Sequence, residues 1–190
     1  IVATVAAMKA VVDIGRQLVR AYGQQELAER KLSAAIKATG RETEINIDNM
    51  KDLASTLQSV TTFGDEVTLS AMAMVQQLAN LDEQGLQKVT PAMQDFAAAM
   101  GLSLETAATL VGKTLSSSTN ALIRYGVEVD MSGTKTERLA ELTQALTDKF
   151  GGMATELQST TIGAMESFKN TWGDILEVGG KWISKWLEPT

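Results

Sequence analysis

Apolar residues return along most of this chain at intervals of three and four, the spacing of one face of an α-helix. Between residues 2 and 39, Val5, Met8, Val12, Val19 and Tyr22 form one stripe. Val11 and Leu18 widen it, and Leu27, Leu32 and Ile36 resume it. Gly15 and Gly23 fall on or beside the stripe as sites of a close contact or a kink, and Gly40 is placed to end the helix. A connector over 41–47 leads to Asp48 as the N-cap of a helix with Met50, Leu53, Leu57 and Val60 inward. Thr61-Thr62-Phe63-Gly64 breaks the rhythm. Asp65 and Glu66 then open a helix where the backbone dipole favours negative charge, with Val67, Ala71, Met74, Val75 and Leu78 facing its core.

In the second half a loop is expected over 80–89, followed by Thr90 as N-cap and Pro91 at the first helical position. That helix carries Met93, Phe96, Ala97 and Met100 and closes at Gly101. Ser103 caps the next, with Leu104, Ala108, Val111 and Leu115 on one side, and a turn over 116–119 leads to a short helix stopped by Gly126. Val127-Glu128-Val129-Asp130 is the one strand-like alternation, too short to build a sheet. Thr134 and Glu137 have the spacing of a capping box, opening a helix with Leu139, Leu142, Leu146 and Phe150 that Gly151-Gly152 ends.

The last segment is the most regular. Met165, Phe168, Trp172, Ile175, Gly179, Trp182 and Trp186 alternate by three and four and include every Trp of the chain. Such an interaction seam docks on the chain's own N-terminal helix, pairs with a second copy, or lies on a membrane surface. Its polar side lacks a Lys/Arg excess, so membrane contact is not expected. The resulting expectation is an all-α chain in three parts. A long amphipathic helix at 1–40 precedes a compact module of short helices at 41–158, and a Trp-rich amphipathic helix follows at 159–190.

The 190 residues carry a net charge of -6 and are 44% hydrophobic, ample for a core and too apolar for a disordered chain. With no Cys and no His, disulfides, thiolate nucleophiles, Cys/His zinc sites and His-based triads are excluded. The acidic balance gives no electrostatic basis for specific nucleic-acid binding. Lys9, Asp13, Arg16 and Arg20 interrupt the apolar opening stretch, which rules out a membrane span there. A chain that starts at Ile1 and stops after Pro189-Thr190 reads as a piece of a longer one.

Few strings suggest chemistry. Gly112-Lys113-Thr114 matches the tail of a phosphate-binding loop, but Ala107 stands where the loop needs glycine and the setting is helical. Ser132-Gly133-Thr134-Lys135 has a Ser-x-x-Lys spacing, better explained as a turn before an N-cap. Paired carboxylates occur at Asp48/Asp52, Asp65/Glu66 and Asp82/Glu83, all at positions where helix starts attract acids. No calcium loop is present, and no metal, cofactor or catalytic residue is expected. Residues 57–64 (LQSVTTFG) are echoed by residues 157–163 (LQSTTIG) with one residue deleted, for which shared turn chemistry suffices.

Five blocks in order carry a resemblance. Residues 29–40 (ERKLSAAIKATG), 57–66 (LQSVTTFGDE), 93–101 (MQDFAAAMG) with 110–113 (LVGK), 121–127 (ALIRYGV), and 150–152 (FGG) with 168–174 (FKNTWGD) together resemble tail tape measure proteins of long-tailed bacteriophages and prophages. The resemblance implies an internal, non-catalytic structural segment of a protein that templates the tail tube, sets its length and leaves during genome ejection. It implies as partners other copies of itself, the tail tube protein and tail assembly chaperones. The implied location is the tube lumen of the virion, after synthesis in the bacterial host cytoplasm. Two alternatives from the residues alone are an unrelated helical protein-interaction module and a carboxylate-based hydrolase.

Overall fold

In a computed structural model of the chain the backbone is described for residues 2–187, and the side chains of residues 2–11, 161, 168, 172, 175 and 179–187 lie outside that description. The chain is all-α, with no strand among the described residues. Its helices are α1 (Val2–Ala38), α2 (Ile47–Val60), α3 (Asp65–Ala79), α4 (Glu83–Met100), α5 (Leu104–Ser116), α6 (Lys135–Phe150), α7 (Met153–Gln158) and α8 (Thr161–Leu187). A 3-10 turn at Ile123–Tyr125 separates α5 from α6.

α3 is the hub. It packs against α1 on one side and α5 on the other, and also touches α2 and α4. Thr68, Leu69, Ala71, Met72, Ala73, Val75, Gln76 and Ala79 are all buried, so this helix is enclosed nearly all round. The close approach of α5 depends on Gly112, where a Cβ would lie 2.7 Å from a methyl of Leu78. α4 forms a second layer under α5, α6 and α7. Its Phe96 is fully buried, with Tyr125 edge-on at 5.1 Å and Phe150 at 5.5 Å between ring centroids.

Buried polar groups in this core are tied to one another. Gln76, fully buried, donates to the Thr39 hydroxyl at 2.8 Å and accepts from the Leu81 backbone at 3.1 Å, pinning the end of α1 to the α3–α4 turn. Gln94 donates to Thr68 at 2.9 Å, and Thr68 donates to the Gly64 carbonyl at 2.9 Å.

Several sequence expectations need revision. The first cap of α2 is Asn46, whose side chain accepts from the Asp48 amide at 2.9 Å; Asp48 already lies inside the helix. No loop fills 80–89. Asn80 turns the chain at a left-handed φ of 46°, Asp82 caps α4 through the Gly85 amide at 2.8 Å, and Pro91 lies inside the helix. Pro91 forfeits one backbone bond, and the neighbouring Thr90 hydroxyl makes its own to the Leu86 carbonyl at 2.7 Å. On α1 the inward residues are Gln25, Ala28, Leu32, Ala35 and Ile36, whereas Leu27 is 53% exposed. Small Ala28 and Ala35 allow close crossing by α3, which the larger Leu27 would prevent.

Other local expectations are met. Thr134 and Glu137 form the reciprocal capping box, and the Thr134 hydroxyl holds the Glu137 carboxyl below its ordinary pKa. Gly101 and Gly126 close their segments at φ of 61° and 70°. Val127 and Val129 are buried while Glu128 and Asp130 are exposed, so the alternation describes an extended segment stitched to a helical core.

Candidate functional site

Most of the sequence-level candidates prove structural. Gly112, Lys113 and Thr114 sit within α5; Thr114 donates to the Leu110 carbonyl at 3.0 Å and accepts the Ala121 amide at 3.1 Å, which builds the following turn. Ser132 bonds Asp130 in the loop before α6. Asp82 is a helix cap, and Glu83 accepts from the Asn46 backbone at 2.6 Å and the Asn49 side chain at 2.8 Å, bracing α2 against α4. Asp48 and Asp52 are exposed on α2. Asp95 caps the six-residue α7, its carboxylate accepting from Gly152 at 3.0 Å and Ala154 at 2.9 Å.

The Asp65/Glu66 pair is different, because the fold adds a third acid. α8 brings Asp174 to the N-terminal end of α3, and a cleft of about 300 Å³ opens between α1, α3 and α8. Gln24 and Gln25 line it from α1, Asp65 and Glu66 from α3, and Lys169, Asn170, Asp174 and Glu177 from α8. Gln58 spans the corner, accepting from the Asp65 amide at 2.7 Å and donating to Asp174 at 2.7 Å. Gln25 donates to Asp65 and to Glu29, both at 3.2 Å. Asn170 donates to the Thr62 carbonyl at 3.1 Å.

Burial raises the Glu66 carboxyl from its ordinary value to about 7. The hydrogen bond and charge of Asp65 push the same way, as does the charge of Asp174, while Glu66's own backbone amide opposes them. Asp174 is also raised, first by burial and then by Asp65, against the bond from Gln58. Gly64 makes room for this arrangement: a Cβ there would meet the Glu66 carboxylate at 2.6 Å. The corner therefore holds two acids, Glu66 and Asp174, biased toward their protonated forms. Among the described residues no group of acids is placed to hold a metal ion. Sequence reasoning found Asp65 and Glu66 but not Asp174, since the partner of Gln58 lies 116 residues away and no local spacing signals it.

The proposed seam falls on α8, which runs along α1. Met165 is 69% exposed. The side chains of Phe168, Trp172, Ile175, Trp182 and Trp186 lie outside the described residues. Flanking apolar groups are open to solvent on both helices, with Ile162 at 77% and Val178 at 61% on α8, and Val12 at 50%, Ile14 at 51% and Val19 at 48% on α1. Among the described residues no helix is long and apolar enough to cross a membrane. The repeated sequence has only a partial structural counterpart: Thr61 donates to the Leu57 carbonyl four residues back and Thr160 to the Leu157 carbonyl three back, and Gly64 caps α3 whereas Gly163 lies within α8.

Compared with protein-family models, curated proteins and solved structures, the chain matches none.

Proposed function

We propose that this chain is a structural segment of a phage tail tape measure protein, serving tail tube assembly, tail length determination and genome ejection without catalysis of its own. The observation that carries this reading is the α1–α8 pair with its solvent-facing apolar residues, attached to a compact helical body. Helices of 37 and 27 residues run about 55 and 40 Å at 1.5 Å per residue, a span suited to lateral packing with other copies or with tube subunits. The five ordered sequence blocks that resemble the family support this reading, under which assembly chaperones would cover the same apolar residues before the tail forms. The acids of the cleft are engaged in bonds within and between helices, which favours architecture over turnover. Its place would be the tube lumen of the virion.

Mass spectrometry of particles made from the parent genome tests this. Intact tails should contain peptides of this chain, and tails emptied of DNA should have lost them. Their absence from intact tails would sink the proposal.

A further inference from the structure

We propose that the joint between α8 and the α2–α3 corner is a proton-controlled latch, closed when its carboxyls are protonated and loosened when they ionise. This does not rest on the phage reading, since it follows from the joint alone.

The described contacts of the joint are polar. α8 meets this corner through Gln58 with Asp174, Asn170 with the Thr62 carbonyl, and, one turn before α8, Gln158 with the Ser59 carbonyl at 3.1 Å. Three carboxyls, Asp65, Glu66 and Asp174, face one another across it. Two buried polar atoms, Gln25 Oε1 at the cleft and Ser167 Oγ on α8, have no hydrogen-bond partner among the described residues. Flipping the Gln25 amide would only set its oxygen against the carboxylates of Asp65 and Glu29. An interface with unsatisfied atoms and like charges is held at a cost, and that cost depends on ionisation. α8 follows α7 across the short turn at residues 159–160 and also runs along α1, so loosening this joint would shift α8 on the corner while the α3–α5 core stays folded.

Other charges near Glu66 do not cancel the effect. From α1 come Glu29, paired with Lys51 at 3.2 Å, and Lys31; from α5 comes Glu105; from α8 come Lys169, paired with Glu166 at 3.5 Å, and Glu177. The sign follows from burial. Glu66 is raised to about 7 with α8 in place, and Asp174 is raised as well, so both bind protons more tightly in the closed form. Closure is therefore strongest below the ordinary carboxyl range near 4.5, weakens as pH rises toward 7, and levels off above it. α1 continues to shield Glu66 when the joint loosens, so only part of the burial effect is relieved, and the closing constant is expected to change by roughly tenfold.

Hydrogen exchange on the whole chain reads this directly. Protection factors of amides in 165–178, corrected for intrinsic rates, should fall about tenfold between pH 5 and pH 8. Those of core amides such as Met93 should stay within a factor of two or so. Glu66→Gln, a permanent stand-in for the protonated acid, should flatten most of the α8 profile. Asp174→Asn, which keeps an oxygen for Gln58, should raise α8 protection at pH 8 several-fold. A wild-type profile that is flat, or that falls equally in α8 and the core, would overturn the latch. So would an α8 profile unaltered in both variants.

Discussion

Replacing Phe96 with Ala should lower the stability of the chain by about 4 kcal/mol, in the range for deleting a buried aromatic from a packed core. Phe96 is fully buried, and it joins three elements at one point: α4, which carries it, the 3-10 turn through Tyr125, and the end of α6 through Phe150. Truncation removes two aromatic contacts along with the buried area, and neither neighbour can fill the gap, since each is fixed by its own backbone segment. For a domain whose total stability is on the order of 5–15 kcal/mol, such a loss shifts the thermal midpoint by roughly 10 °C. Met100→Ala on the same helix, at a position 39% exposed, should cost roughly 1 kcal/mol or less. Urea unfolding of the two variants separates them. Equal midpoints would mean that the α4 layer is not the core described.

Gly163→Ala should release α8 while leaving α3, α4 and α5 folded. At Gly163 a Cβ would lie 1.9 Å from the Leu157 carbonyl oxygen and 2.7 Å from the Gln158 Cα, both backbone atoms that cannot swing aside. The α7–α8 corner must therefore open. The Gly163 amide would lose the Thr160 hydroxyl at 3.0 Å, and the Gln158–Ser59 bond would be displaced with it. Overpacking of this kind costs about 1–3 kcal/mol, which should accelerate exchange of α8 amides roughly 10- to 100-fold. Gly173→Ala is the contrasting change: nothing lies within 4 Å of its Cβ, so better helix propensity should stabilise α8 by up to about 1 kcal/mol. If both alanines had the same effect, the corner would not be built on Gly163.

How much of this was legible in the sequence depends on the range of the interaction concerned. Thr134 with Glu137, Ser103 with Thr106, and the glycine stops at 101 and 126 are contacts within one turn, so spacing alone identifies them. Thr90-Pro91 has the same local signature as a helix start, yet Asp82 supplies a competing cap eight residues earlier and burial of Leu86 and Val89 carries the helix through. Asp48 has the chemistry of a cap, but Ile47 is already helical, so the cap falls on Asn46 one residue earlier. The apolar stripe of α1 misplaced Leu27 because periodicity counts hydrophobicity and ignores size, whereas the crossing with α3 selects Ala28 and Ala35. Asp174 joins Asp65 and Glu66 only through the docking of α8, which no sequence spacing encodes.

The fold also alters how the chain divides. Ala28, Leu32, Ala35 and Ile36 belong to the same continuous core as Leu69, Met93 and Leu142, so the last part of α1 is a structural member of the compact body. The half of α1 before Gln25 and the whole of α8 form the extension. On the proposed reading, such a chain would act through shape and its solvent-facing apolar surface.

The most direct test of that account is tail length. An in-frame deletion of residues 41–152 from the parent gene removes the body between the two long helices. If the segment belongs to the measuring length, electron micrographs should show tails shortened to a single new length. The reduction should reach about 170 Å if the deleted stretch lies as continuous helix in the tube, and less if it stays folded. Tails of unchanged length would contradict the account.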